Sequence, residues 1–255
     1  MLPLFSQPSL GDIDQDGTPD VVAAGGSLNL ALSLQGQSSA GIQGDHLVAV
    51  WSGKTGAMMP GAPFIIEDYS FFNSQAIADL DGDDYPEVIA GSGGYFLHAF
   101  DGCGREPTGW PKFTGQWIIP TPALGDLDGD GTLEVAVGTR NGWLYAWHTS
   151  AKTDTIIEWE SYHHDNRNTG NIETPLDQGA KRRAARPLET DMCEPPALDP
   201  GKLAPSGGCQ CAAVGARSPL HGGRGLAGEG LLALALALLA SLTGARRRLA
   251  RARRA

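Results

Sequence analysis

The chain has 255 residues, with 29 acidic and 19 basic side chains and a formal net charge of −10. Residues 1–175 hold 23 acidic and 6 basic residues, a charge of −17, whereas residues 176–255 hold 6 acidic and 13 basic residues, a charge of +7. An acidic front repels phosphate, which excludes nucleic acid as a partner and favours cations. The 35 glycines and 17 prolines indicate a turn-rich β protein.

Three segments of the acidic front align without gaps. They are SLGDIDQDGTPDVVAAG from Ser9, AIADLDGDDYPEVIAG from Ala76 and ALGDLDGDGTLEVAVG from Ala123. An insertion rich in glycine, serine and glutamine, around residues 25–45, accounts for the longer first spacing. Such self-similarity is the pattern of a repeat architecture.

Each unit predicts about four short strands. Trp143, Tyr145 and Trp147 alternate with Leu144 and Ala146, which is the period of a strand. Short β-branched runs bounded by glycine follow each acidic segment. We therefore expect an all-β fold over residues 1–173, a partial β-propeller of about three four-stranded blades.

Each acidic segment predicts a metal-binding loop. Numbering the loop from its first aspartate, side chains at positions 1, 3, 5 and 9 and the carbonyl at position 7 offer oxygen to one ion. The predicted ligands are Asp12, Asp14, Asp16, Thr18 and Asp20; Asp79, Asp81, Asp83, Tyr85 and Glu87; and Asp126, Asp128, Asp130, Thr132 and Glu134. A hard cation such as Ca²⁺ takes 6–8 oxygens, so up to three Ca²⁺ are expected.

The residue at position 6 distinguishes the three loops in their expected affinity for a cation. Gly17 and Gly131 stand there in the first and third loops, where we expect a sharp turn with positive φ. The second loop has Asp84 instead. We therefore expect the second site to be the weakest and the third, with its full ligand set, to be the best.

Two other interpretations of the acidic loops are weaker. An EF-hand needs a glutamate at position 12 between helices, but Ala23, Ala90 and Val137 stand there and the flanks are β runs. Aspartate also favours ordinary turns. Three copies in the same register, each with an acid at position 9, favour a cation instead, because clustered carboxylates repel one another.

The motifs DIDQDGTPD, DLDGDDYPE and DLDGDGTLE, with their trailing glycine-bounded β runs, resemble FG-GAP/VCBS repeats of integrin-α-like propellers. The resemblance implies a Ca²⁺-binding propeller for surface recognition. Because a closed propeller needs about four to eight blades, we expect the C-terminal part of a longer protein, or a gene model that lacks upstream blades and a signal peptide. An open arc or closure by oligomerisation are the alternatives.

The basic C-terminal part predicts a linker and a membrane-sorting tail. Residues 174–225 predict a disordered Pro/Gly/Ala/Arg-rich linker, and residues 226–255 a hydrophobic helix followed by an arginine cluster. The apolar run Leu231–Leu242 has 12 residues, fewer than the ~20 of a comfortable span.

The tail resembles a MYXO-CTERM sorting signal, which implies processing or lipidation at Cys209 or Cys211; a plain membrane anchor is the alternative. Either one places the repeats at the cell surface or outer membrane, exported. The N-terminus, MLPLFSQPSL, lacks the pattern of a signal peptide. The four cysteines are too few and scattered for a disulfide scaffold, and zinc at Cys209 and Cys211 is disfavoured.

We expect a non-catalytic protein. The polar run containing His163, His164, Asp165 and Arg167 is the best catalytic candidate, but such a turn is usually only solvated, and no nucleophile elbow, P-loop or HExxH is present. The expected partner is an extracellular protein or glycan. The alternative is a lectin-like propeller, or the non-catalytic part of a polysaccharide-active enzyme. Its candidate platform is the set Trp110, Trp117, Trp143, Trp147 and Trp159, although tryptophan more often packs in the core.

Overall fold

The computed structural model describes residues 2–3, 6–26, 46–70, 73–180 and 183–193. Cys209, Cys211 and the predicted sorting tail lie outside this part of the chain. Within it, three antiparallel sheets confirm the all-β prediction. No helix in the described ranges is long and apolar enough to cross a membrane.

Apart from the last strand, each sheet is built from strands that follow one another in sequence. The first contains β1 (Leu2–Pro3), β2 (Ser9–Gly11), β3 (Asp20–Gly26), β4 (His46–Trp51) and β5 (Phe64–Ile66). The second contains β6 (Ala76–Ala78), β7 (Glu87–Gly91), β8 (Phe96–Phe100) and β9 (Lys112–Phe113). The third contains β10 (Ala123–Gly125), β11 (Thr132–Gly138) and β12 (Leu144–Lys152).

The last strand, β13 (Ile157–Trp159), departs from the expected pattern of four strands per unit. It pairs with β6 of the second sheet, where Ile157 faces Ala78, instead of adding a fourth strand to the third sheet. The third sheet therefore has three strands among the described residues. Sequence alignment could not show this exchange, because it is a contact between residues about 80 positions apart.

The acidic loops occupy the same place in all three sheets. Each connects the first strand of its unit to the second, and the strands pair in one register: Gly11 with Asp20, Ala78 with Glu87 and Gly125 with Glu134. The acid at position 9 is therefore the first or an early residue of the returning strand. Because of this shared register, the carboxylate at position 9 lies beside the loop that precedes it in each copy.

The core lies between the sheets. One face of the second sheet, with Ile77, Val88 and Phe100, packs into a cluster with Val22 and Val50 of the first sheet. Its opposite face, with Ala76, Ile89 and Ala99, shares a second cluster with Leu124 and Val135 of the third sheet. The second sheet is thus covered on both faces, which explains why β6 and β7 are buried at every residue.

The third sheet is covered on one face only. Along β12, Tyr145 and Trp147 point toward the core, whereas Ala146 and His148 are exposed and Leu144 is 74% exposed. This alternation confirms the strand predicted from the sequence. The outer face of this sheet presents its side chains, and the loop beside it, to solvent.

The chain returns to the repeats after residue 173, the predicted domain boundary. The side chain of Gln178 donates to the Leu124 carbonyl at 2.8 Å, and the Leu188 N–H donates to the Asp14 carbonyl at 2.7 Å. A short helix, α1 (Thr190–Cys193), ends the described part. Contacts with the repeats therefore continue at least to residue 193, beyond the start of the predicted linker.

A disulfide joins Cys103 to Cys193, 90 residues apart. The sequence analysis did not foresee this pair, since neither cysteine belongs to a recognisable motif and only the fold brings them together. The bond attaches the returning segment to the second sheet's unit.

Candidate metal centre

The acid at position 9 is held by its own loop in each copy. The backbone N–H of position 2 donates to it: Ile13 to Asp20 at 2.8 Å, Leu80 to Glu87 at 2.7 Å and Leu127 to Glu134 at 2.7 Å. All three acids are buried. The same hydrogen bond, made three times, fixes one carboxylate oxygen and turns the acidic group toward the loop's interior.

Position 6 donates its N–H to the aspartate at position 1 in every loop. The distances to Asp12, Asp79 and Asp126 are 3.0, 3.1 and 3.0 Å. Position 6 has positive φ in all three copies: 96° at Gly17, 73° at Asp84 and 80° at Gly131. The prediction of a left-handed backbone at Gly17 and Gly131 is confirmed, and Asp84, for which it was not made, adopts the same conformation.

The backbone N–H of the residue at position 7 donates a hydrogen bond to the side chain of the aspartate at position 5. Thr18 donates to Asp16 at 2.9 Å, Tyr85 to Asp83 at 2.8 Å and Thr132 to Asp130 at 2.7 Å. These bonds close each loop on itself. The role predicted for the position 7 carbonyls as ligands stays a prediction.

Several carboxylates converge closely enough to hold an ion. Within each group, one ligand atom per residue lies within 4.8 Å of the others. The groups are Asp12, Asp14 and Asp20; Asp79, Asp81 and Asp83; Asp126, Asp128 and Glu134; and Asp128, Asp130 and His148. Of the predicted side-chain ligands, Asp16 and Glu87 fall outside these groups, and Asp16 pairs with Lys54 at 3.4 Å. The structure thus assembles acidic clusters able to bind a metal, without indicating which metal.

In the first two loops, burial makes the negative charge of some carboxylates costly. It raises the pKa of Asp20 to about 7, with the charge of Asp14 adding to the effect and N–H donors from Gly53 and Ile13 opposing it. Burial likewise raises the pKa of Asp83 to about 6 and that of Glu87 well above its ordinary value. A cation in the loop would offset this cost, because an opposite charge favours the ionised carboxylate.

The three loops differ in what surrounds them. The guanidinium of Arg183 donates to Asp12 in the first loop, while the other oxygen of Asp12 is buried without a hydrogen-bond partner among the described residues. In the second loop, the Thr155 hydroxyl donates to Asp79 at 2.9 Å. In the third loop, Asp126, Asp128 and Asp130 are exposed.

The polar run considered for catalysis forms a closed turn. The Thr169 hydroxyl and the backbone N–H groups of Arg167 and Thr169 all donate to Asp165, and the Thr169 hydroxyl bond chiefly lowers the pKa of that carboxyl. His164 is buried, with Nδ1 3.2 Å from Asp165. Arg167 reaches Asp177 at 3.3 Å. These side chains hold one another in place within the turn.

Sequence reasoning missed two residues at the loops, Arg183 and His148. Arg183 lies in the segment taken for a linker, so no pattern pointed to it. His148 stands in NGWLYAWHT, and its strand period places it on the same face as Ala146. The sequence did contain a signal for His148. The strand alternation from Ala146 continues to His148, and pairing of this strand with the one that holds Glu134 would have placed the two residues side by side.

Neither a protein-family model nor a curated protein matches the sequence. Among solved structures, the chain is similar to the V. cholerae biofilm matrix protein Bap1, with 18% sequence identity and a TM-score of 0.40. The alignment covers 61% of this chain and 25% of that protein. The chain therefore spans about a quarter of the length of this solved structure.

Proposed function

We propose that this chain is a calcium-binding, non-catalytic protein of the cell surface that serves adhesion or recognition, built on FG-GAP/VCBS-type propeller repeats. The observation that carries the proposal is the acidic loop itself. It recurs three times in one strand register with one hydrogen-bond pattern, and its carboxylates converge. The acid at position 9 is buried in all three copies, and a cation in the loop would offset the cost of its negative charge.

The ligand chemistry of the first two loops suits Ca²⁺. Their clusters contain carboxylate oxygens only, the donor that hard cations prefer. Burial raises the pKa of Asp20 and of Asp83, and a divalent cation in the loop would favour the ionised form of both groups. Calcium at extracellular concentration is sufficient for sites of modest affinity.

Export is supported by the disulfide between Cys103 and Cys193, since such bonds persist in oxidising compartments. We propose that the C-terminal tail directs the chain to the surface through processing at Cys209 or Cys211. Mass spectrometry of the mature protein from its natural host should then find no residues from 226–255. Recovery of a C-terminus at Ala255 from the mature surface protein would identify a plain membrane anchor instead.

Calcium titration of the full chain tests the binding. With calcium as the sole divalent cation, we expect up to three ions by calorimetry and a loss of one ion in each of the variants Asp14→Asn, Asp81→Asn and Asp128→Asn. Asp177→Asn is the matched control, because Asp177 is an exposed aspartate outside the loops. Unchanged stoichiometry in all three loop variants would contradict the proposal.

The recognition role is tested separately by calcium-dependent retention of the full chain on immobilised extracellular proteins and on a glycan array. A variant that combines Asp14→Asn, Asp81→Asn and Asp128→Asn is compared with Asp177→Asn. Retention that disappears with EDTA and in the combined variant, but not in Asp177→Asn, would support the recognition role. Catalytic turnover of a polysaccharide, or the absence of any calcium-dependent retention, would count against it.

A lectin-like function is the second candidate, favoured by exposed aromatic side chains. Trp143 is 65% exposed and Phe113 is 61% exposed, with the Tyr95 ring 6.5 Å from that of Phe113. Aromatic faces at a surface are suited to stacking on sugar rings. Glycan-array signals that fall in Trp143→Ala would favour this function over protein adhesion.

A further inference from the structure

The third loop has an imidazole beside it that the other two lack. His148 on β12 is paired directly with Glu134 on β11. In the first sheet, Trp51 pairs with Val21, so the residue opposite the position 9 acid is Ser52. In the second sheet, Phe100 pairs with Val88, and that residue is Asp101. Among the described loops, only the third therefore offers a nitrogen ligand at this place.

The two ring nitrogens of His148 face two different carboxylates. Nδ1 lies 2.7 Å from Oε1 of Glu134, and Nε2 lies 3.8 Å from Oδ2 of Asp128. One ligand atom of His148, one of Asp128 and one of Asp130 lie within 4.8 Å of one another. The imidazole is thus a bridge between the buried acid and the exposed aspartates of its own loop.

The environment of Glu134 is a separate observation that supports a metal-binding role for the His148 imidazole. The residue is only 3% exposed, and its Oε2 accepts the Leu127 N–H. Its Oε1 is buried and has no well-formed hydrogen bond from the described residues, although it lies beside Nδ1 of His148. The short distance makes this oxygen the nearest acceptor for an Nδ1–H of the ring. A histidine held in this way by a carboxylate presents Nε2 to a metal in many metal sites.

We propose that the third loop binds a divalent transition cation of the Zn²⁺ class through Nε2 of His148 and the carboxylates of Asp128 and Asp130. Glu134 acts as a positioning residue that fixes the ring. The inference rests on the proposed function only in that this loop binds a cation, and it changes which cation. Imidazole suits zinc, whereas calcium selects oxygen.

The dimensions fit an ion of this class. Zinc lies about 2.0–2.2 Å from nitrogen and carboxylate ligands, so two ligands of one tetrahedral ion are about 3.3–3.6 Å apart. The 3.8 Å between Nε2 of His148 and Oδ2 of Asp128 is a few tenths of an ångström longer, which a small movement of these exposed side chains would close. Because His148 and Asp128 are both more than half exposed, water can complete the coordination.

Cobalt is the probe, since Co²⁺ substitutes for zinc and absorbs visible light. The full chain is titrated with Co²⁺ in 1 mM CaCl₂, and Zn²⁺ is then added as competitor. We expect one Co²⁺ per chain, displaced by Zn²⁺, with at least about 10-fold weaker binding in His148→Asn. Glu134→Gln should also weaken Co²⁺ binding. The number of protons that the protein releases when Co²⁺ binds should change in this variant, because Nδ1 of His148 then faces an amide instead of a carboxylate.

Two controls isolate this site. His163→Asn removes an imidazole whose backbone has a φ of 54°, which asparagine tolerates, and should leave Co²⁺ binding unchanged. The double variant Cys209→Ser, Cys211→Ser removes the tail thiols and should retain the Co²⁺ spectrum without a thiolate band.

The outcomes separate the two proposals. Co²⁺ binding that is equal in His148→Asn and the parent, or is abolished by 1 mM Ca²⁺, would overturn the zinc-class site and leave calcium binding by the loops intact. Loss of Co²⁺ binding in His148→Asn, with calcium still bound by the first two loops, would support it. Failure to bind any divalent cation would overturn both.

Discussion

The guanidinium of Arg183 donates to Oδ2 of Asp12, although the two residues are 171 positions apart. Asp12 is the first predicted ligand of the first loop, and its side chain is 4% exposed. A cationic side chain of the returning segment therefore contacts the carboxylate that a metal ion would also contact. A metal ion in this loop would compete with the guanidinium for the charge of Asp12.

We expect Arg183→Ala to raise the calcium affinity of the first loop. The Arg183 side chain is 57% exposed, and an ion pair open to solvent on one side contributes on the order of 1 kcal/mol, so the gain should be up to about 5-fold in Kd. Calorimetry of the full chain measures it. Arg186→Ala is the control, because Arg186 is an exposed arginine of the same segment whose carbonyl, not its side chain, accepts the Tyr85 hydroxyl bond. Equal shifts in both variants would indicate a general charge effect only.

Calcium should stabilise the repeats against unfolding. A ligand that binds only the folded state at 100 times its Kd contributes about 2.7 kcal/mol per site. Thermal melts of the full chain with CaCl₂ and with EDTA measure the effect. A Tm that does not respond to calcium would contradict the prediction.

The backbone at position 6 should tolerate glycine far better than alanine. Gly131 has a φ of 80°, and no atom lies within 4 Å of the place where a Cβ would stand, so any penalty comes from the backbone alone. We expect Gly131→Ala to cost roughly 1–2 kcal/mol in the free energy of unfolding. Gly131→Asp should cost less, because aspartate tolerates this region better and Asp84 adopts it in the second loop. Urea denaturation in EDTA compares the two; an equal cost would show that side-chain identity at this backbone conformation does not matter.

His98 should make stability depend on pH. The ring is buried between two carboxylates, with Nδ1 3.0 Å from Glu106 and Nε2 2.9 Å from Glu67. Burial alone would lower the pKa of His98, but the hydrogen bonds to Glu106 and Glu67 outweigh it and raise the pKa above 6.5. The stabilisation is therefore complete below pH 6.5 and is lost as the pH rises through the raised pKa of the folded state.

Urea denaturation of the parent and His98→Gln in EDTA, at several pH values from 6 to 9, measures this dependence. The difference in unfolding free energy between the two proteins should shrink as the pH rises, and subtraction removes the contribution of the acidic loops. A difference that is constant across the range would show that His98 is not charged in the folded protein.

The disulfide should stabilise the folded chain by restricting the unfolded one. For a loop closed by 90 residues, we expect removal of the bond to cost about 2–5 kcal/mol. The double variant Cys103→Ser, Cys193→Ser should melt at a lower temperature under oxidising conditions and be insensitive to dithiothreitol. A parent protein whose Tm does not change on reduction would contradict the prediction.

The acidic loops and their flanking strands were predictable from the sequence because the same motif occurs three times. Three in-register copies of one acidic motif predicted the loops, the positive φ of Gly17 and Gly131 at position 6 and the strands on either side. All of these depend on residues within about ten positions of each other. The alternation through Trp143, Leu144 and Tyr145 likewise predicted β12. Each of these features is set by backbone geometry and by the burial of one strand face, which a short segment already encodes.

The tertiary structure decided what depends on distant residues. It moved β13 from the third unit to the second sheet, joined Cys103 to Cys193, and brought Arg183 to Asp12 and His148 to Glu134. No local pattern encodes these pairs, because each forms only when packing places separate strands or segments side by side. The sequence by itself therefore determined that three acidic loops exist, whereas the fold decided which cationic or imidazole group each loop contacts.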